Sequence, residues 1–285
     1  MSPVMSPVMS PAMSLAMKWG RVAAGAAVLA VVVERVGTGP FLDAVRATSP
    51  AALLAALAIT ALTTLCCAWR WRVVAARLGV DVPLRPAVGA YYRSQFLNAT
   101  LPGGVLGDVH RAVRHGPMPV ALERVVGQVV QVVATGGVLL AVSPWPAAAV
   151  AVGAGLAVAL VRWPQVVAAS VLAAAGHVVV FLVAARAAGT DATLAELLPL
   201  ALVVLLAAAI PLNVAGWGPR EGAAAWAFAS AGLGAAEGAT VAVVYGVLAL
   251  VATLPGAVLL ATGVLARGRL TERQRQLAQG VPARA

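Results

Sequence analysis

Apolar residues run in long uncharged blocks divided by short polar punctuation. No Asp, Glu, Lys or Arg occurs in Ala47–Trp69, Val125–Val161, Leu197–Pro219 or Gly238–Ala266. About 20 apolar residues suffice for a helix to cross a bilayer. The pattern therefore predicts transmembrane helices at Trp19–Val36, Pro50–Trp69, Ala121–Val142, Pro146–Val161, Pro164–Ala187 and Gly238–Ala266. Pro-bearing turns such as Ser143-Pro144-Trp145-Pro146 and Trp163-Pro164 separate several of them. The expected fold class is all-α, a polytopic integral membrane helical bundle, with Ala, Val, Leu and Gly letting helices approach closely.

Composition agrees. Of 285 residues 61% are hydrophobic and only 11% charged, against about 25% charged in soluble domains. A soluble globule could not hide this much apolar surface. Arg267–Ala285 is the longest clearly polar stretch and too short to hold a core, so a soluble catalytic domain is not expected. The chain reads as a low-complexity N-terminus (1–17), a membrane domain (18–266) and a basic cytoplasmic tail (267–285). The N-terminal repeat MSPVMSPVMSPAMSLAM carries Pro every fourth residue, which prevents a helix. It reads as disordered, or as upstream of a true start at Met13 or Met17.

Net charge is +10, and every cation but Lys18 is Arg. In a membrane protein this marks cytoplasmic loops and anionic lipid contacts, not nucleic acid. Arg70, Arg72, Arg77 and Arg85 against Asp81 make the loop after the second span cytoplasmic by the positive-inside rule. Arg267, Arg269, Arg273 and Arg275 place the C-terminus there too. The expected location is the plasma membrane with both termini inside. Trp69-Arg70-Trp71-Arg72 suits that boundary, with rings at headgroup level and guanidinium groups in water or on phosphates.

Two segments do not read as plain spans. Pro86–His115 contains Arg93, Gln95, Asn98, Asp108, His110 and Arg111 and should leave and return on the cytoplasmic face. Leu194–Leu233 is interrupted around Pro211–Glu221 and should enter and return from outside. Pro102-x4-Gly107-x3-Arg111 and Pro211-x4-Gly216-x3-Arg220 repeat one spacing 109 residues apart. Paired Gly/Pro-broken segments entering from opposite faces point to an inverted-repeat transporter site. Pro219 can open a helix with Glu221 in its first turn, and Asp108 can cap another. Helix N-termini bind anions, and Arg supplies a planar fork for phosphate. The implied site is a phosphate pocket within the membrane, held by Arg111 and Arg220 and oriented by Asp108 and Glu221. Two internal ion pairs holding the broken helices, or an exposed Asp108–Arg111 pair, are the alternatives.

Other polar residues read more plainly. Arg93 is a third phosphate contact or a side chain snorkelling to the interface. His177 reads as a packing histidine and not a proton carrier, and His115 as a surface residue. Cys66 and Cys67 read as packing residues, with palmitoylation the alternative. No nucleotide-binding loop, metal-ligand cluster or hydrolase motif occurs, so no cofactor or metal is expected.

Tyr91–Arg114 (YYRSQFLNATLPGGVLGDVHRAVR) and Ile210–Ala225 (IPLNVAGWGPREGAAA) resemble the flippase-like membrane domain of lysylphosphatidylglycerol synthases, over about Trp19–Ala266. Members that keep a soluble synthase half attach lysine to phosphatidylglycerol and move the product across the membrane; this chain resembles the standalone membrane form. Carried onto matching positions, the resemblance implies Asn98, Pro102, Gly103, Gly107, Asp108, Arg111, Gly216, Gly218, Arg220 and Glu221 as site residues. Gly-Gly-Val-Leu-Gly stands where a tighter Gly cluster before Asp is the family pattern. The expectation is a non-enzymatic lipid flippase-like transporter of a phospholipid or polyprenyl-phosphate-type lipid, driven by a gradient or downhill lipid flow. An integral-membrane lipid-phosphate transferase using Asp108, Glu221 or His110 as base, or a non-transporting partner of an envelope-lipid enzyme, are the alternatives.

Overall fold

The computed structural model describes residues 34, 46, 48–101, 104–141, 162–208 and 218–278. The spans expected at Trp19–Val36 (Glu34 apart) and Pro146–Val161, the N-terminal repeat, and Pro102, Gly103, Pro211 and Gly216 lie outside them. Among the described stretches eight helices follow one another: α1 Pro50–Arg77, α2 Leu84–Thr100, α3 Leu106–His115, α4 Pro117–Ala141, α5 Pro164–Ala187, α6 Leu194–Ala208, α7 Pro219–Ser230 and α8 Ala235–Ala278. Four are long and apolar enough to cross a bilayer: α1, α4 over Pro117–Leu139, α5, and α8 over Ala235–Gly263. The protein is a multi-pass, all-helical membrane protein.

Local chemistry fixes several helix ends. Ser49 Oγ accepts the Ala52 N–H at 3.2 Å and Pro50 opens α1, an N-cap followed by a residue with no N–H to satisfy. At α6 the Thr193 N–H donates to Glu196 Oε2 at 2.7 Å, and the Glu196 N–H returns to Thr193 Oγ1 at 3.3 Å. That reciprocal arrangement is a capping box.

The ends of α1 and α5 share the same two closing bonds. After α1, the Gly79 N–H reaches the Ala76 carbonyl and the Val80 N–H the Ala75 carbonyl; after α5, Gly189 reaches Arg186 and Thr190 reaches Ala185. Both are Schellman turns. Gly79 (φ +75°) and Gly189 (φ +82°) hold the left-handed position, where a Cβ would be strained. Each turn leads into a shorter helix, a break and another short helix: α2 and α3 in one half, α6 and α7 in the other.

The two long helices run antiparallel. Arg77 stacks on Trp163, Arg70 bonds Ser170 and Gly176 packs against Thr63, while Ser49–Ala55 meets Val179–Ala187. The two turns therefore lie at opposite ends of the pair, so α2 and α6 enter the bundle from opposite faces. This is the inverted topology that the repeated Pro-Gly-Arg spacing suggested.

One apolar core, around Phe181, Leu197, Phe228 and Leu248, joins α1, α5, α6, α7 and α8. A second surrounds Trp71 and Tyr91 between α1, α2 and α4. Small residues set the distances. A Cβ at Gly256 would strike the Tyr92 carbonyl across α8 and α2, and one at Gly238 the Ala224 carbonyl across α8 and α7.

Two boundary expectations need correction. α1 continues to Arg77, and Arg70 and Trp71 face neither water nor lipid headgroups; both are buried, because Arg70 has partners on α4 and α5. Nor does the helix end near Ala266, since the backbone of α8 stays helical to Ala278.

Candidate functional site

Five charged side chains from three helices converge where α3 meets α1 and α4. Glu123, wholly buried on α4, accepts from Arg70 Nε at 2.8 Å and also pairs with Arg70 Nη2; its other oxygen accepts from Arg111 Nη2 at 2.9 Å. Arg70 Nη1 also reaches Ser170 Oγ at 3.1 Å. Asp108, in the first turn of α3, accepts from Ser94 Oγ (3.1 Å), Asn98 Nδ2 (3.0 Å), Arg111 Nη2 (3.1 Å) and Arg124 Nη1. Three guanidinium groups thus face two carboxylates, leaving one positive charge in excess. Local backbone makes this possible: a Cβ at Gly127 would lie about 2.5 Å from the Arg70 guanidinium carbon.

Arg111 is the most enclosed cation, 2% exposed. Its guanidinium carbon lies 4.1 Å from the Tyr91 ring centre and 4.8 Å from that of Trp71, and Nε and Nη1 have no hydrogen-bond acceptor. Aromatic faces attract the cation electrostatically but leave its N–H groups unbonded. Burial opposes the Arg111 charge, yet the Glu123 and Asp108 carboxylates outweigh it and raise its proton affinity. Burial holds the Tyr91 phenol well above its usual range, hence neutral.

These groups line a cavity of about 180 Å³, to which Gln95, Gln128, Gln131 and His177 add polar side chains. Arg124, whose side chain is 41% exposed, is its most open cation. Gln131 and Ala174 also line an adjoining apolar cavity of about 290 Å³ between α4, α5 and α6, walled by residues such as Val138, Val178 and Leu202. Polar and apolar chambers share a wall.

The second break holds a smaller arrangement. Pro219 opens α7, and Glu221 accepts the Gly218 N–H at 2.6 Å as well as Arg220 Nε (2.9 Å) and Nη2 (2.5 Å). Gly218 takes φ +124°. The Arg220 guanidinium lies 5.3 Å from the Tyr245 ring, and the Tyr245 hydroxyl lies 3.4 Å from His177 Nδ1. Tyr245 is thus the link from the second break to the cage cavity.

Arg111, Asp108 and Asn98 come together as the sequence suggested, with Gly107 donating its N–H to Asn98 Oδ1 at 2.7 Å. Several expectations are corrected. Asp108 does not cap α3: Val105 precedes the helix without a side-chain cap bond, and the carboxylate turns to α2 and Arg124. The Asp108–Arg111 pair is buried, not exposed, because α2 and α4 cover it. Arg93 does not line the cavity; it lies on the α2 face by Gly89, away from Ser94 and Asn98. Arg220 is not among the residues lining the cavity that holds Arg111; it is engaged by its neighbour Glu221.

The sequence reading missed Arg70, Glu123 and Arg124. A usable signal existed, since Glu123 and Arg124 fall within the expected span Ala121–Val142, and an intramembrane carboxylate needs a named partner. The cage is also lopsided: counting 110 residues on from Arg70, Tyr91 and Ser94 gives Val180, Ala201 and Val204, all apolar and buried.

Fold and site together define a multi-pass membrane domain of two inverted helical halves, with a buried charged cavity in the first. The family model for the lysylphosphatidylglycerol synthase TM region matches residues 18–165, and the chain belongs to that family, a membrane domain associated with flippase-like handling of lipids. The match takes in all five clustered charged residues, Arg70, Asp108, Arg111, Glu123 and Arg124. No curated protein and no solved structure matches the chain.

Proposed function

We propose that this protein moves a phosphate-bearing lipid across the plasma membrane without altering it covalently. The observation that carries this reading is the shared wall between the charged cavity and the apolar chamber. A headgroup and an acyl chain need those two environments side by side. Three arginines against two carboxylates leave room for one added negative charge, the charge of a phosphodiester. Arg124 is the exchangeable contact: phosphate oxygens replace Asp108 on its guanidinium, whose planar fork fits them. Transferase chemistry is disfavoured because Asp108 already accepts four hydrogen bonds, which suits a structural anion better than a base.

The test is reconstitution in liposomes with nitrobenzoxadiazole-labelled phosphatidylglycerol, reading the fraction reached by dithionite. Arg124→Gln should slow exchange at least tenfold while the protein remains folded. Exchange by Arg124→Gln at the native rate would refute the site, and a lipid of altered mass would favour the transferase.

A further inference from the structure

The α1/α5 pair carries a second polar concavity that the cage does not use. At the end where α1 terminates, a cleft of about 520 Å³ opens, lined by Trp69, Arg72, Arg77, Trp163 and Gln165. That is within the roughly 300–1,000 Å³ of ligand clefts. It lies on another face of α1, since Cys67 and Arg70 line the cage cavity instead. Arg77 stacks 3.7 Å from the centre of the Trp163 ring, and Arg72 lies 5.4 Å from that of Trp69.

Stacking holds the Arg77 guanidinium on Trp163, Arg72 lies within cation–π range of Trp69, and neither contact uses the donor edge. The hydrogen bond from Arg77 Nη2 to the Arg162 carbonyl is long, 3.5 Å. Among the described residues no carboxylate pairs with Arg72 or Arg77 and none lines the cleft. Two arginines held beside rings without an acidic partner are poised for an outside anion. Trp69 is 39% exposed, and Val73 and Val166 continue the cleft as apolar wall.

We propose that this cleft docks the headgroup of an anionic phospholipid from the surrounding bilayer, separately from the transported lipid. The phosphodiester takes the edges of Arg72 and Arg77, while the two indoles cover the glycerol backbone and first methylenes. Tryptophan favours that depth, where one side is apolar and the other wet. The positive-inside rule assigns this end to the cytoplasm, and the cytoplasmic leaflet supplies anionic lipid.

Native mass spectrometry of the purified protein tests this, with dioctanoyl phosphatidylglycerol, dioctanoyl phosphatidylcholine and inorganic phosphate as probes. A basic residue near a membrane surface contributes about 1 kcal/mol, so two should favour phosphatidylglycerol about 30-fold. Arg72→Gln/Arg77→Gln should retain one fewer phosphatidylglycerol per chain and lose that preference, whereas Arg124→Gln should keep the cleft-bound lipid. Should the double variant not fold, Arg77→Gln alone, at an exposed position, should lower the preference about fivefold. Undiminished preference in whichever variant folds would overturn the site. Displacement of the lipid by equimolar inorganic phosphate would overturn the lipid assignment in favour of a free anion.

Discussion

Replacing Glu123 by Gln leaves the cage with its shape and removes its central charge. Glu123 accepts three N–H groups from two arginines and is wholly buried. A Gln amide presents one acceptor oxygen and turns an NH₂ toward a guanidinium. At least one charge-assisted hydrogen bond is lost outright, worth about 1.5–3 kcal/mol, the others lose their anionic acceptor, and the excess charge rises from one to two. Breaking a buried pair by removing one partner costs about 3–5 kcal/mol, in agreement. For a chain of this size about 2–4 °C of Tm accompanies each kcal/mol, so Glu123→Gln should melt about 6–20 °C lower in nanodiscs, followed by tryptophan emission. In the Arg70→Gln/Glu123→Gln double variant the losses should be less than additive by more than 1 kcal/mol, because both substitutions break the same bonds. A fall under about 2 °C, or strict additivity, would refute the view that Glu123 neutralises Arg70 and Arg111.

Other outcomes follow from the same geometry. Gly79→Ala and Gly189→Ala should each cost about 1 kcal/mol, and similarly to one another, because both residues hold the same left-handed turn position; thermal melts check this, and a cost at one site alone would deny their equivalence. Asn98→Ala should cost about 1–3 kcal/mol by stranding the Gly107 N–H and removing one of the two donors to Asp108 Oδ2, and faster amide exchange at Gly107 would report it. Burial, helped by Arg111, Arg114 and Arg93, lowers the His115 pKa. The folded state then prefers neutral His115, so its contribution is present above about pH 6.5 and falls as acidification protonates the unfolded chain first. Native protein should therefore lose more Tm than His115→Asn between pH 8 and pH 5.

Long uncharged runs fixed the membrane location, the spans at Pro164–Ala187 and within α1, α4 and α8, and the two breaks. Each depends on neighbours within one or two helical turns, or on the solvent the whole helix must meet. The recurrence of Pro, Gly and Arg even foretold inverted halves, and Asn98, Asp108 and Arg111 were legible because one short segment carries them. Arg70 and Glu123 are 53 residues apart, and which arginine meets which carboxylate depends on how α1, α3 and α4 pack. The sequence could not show that Glu221 would occupy Arg220, nor that Tyr245 would stand between the second break and the cage. Tertiary packing decided those pairings, because an intramembrane charge must find a partner and only the folded bundle determines which one lies within reach.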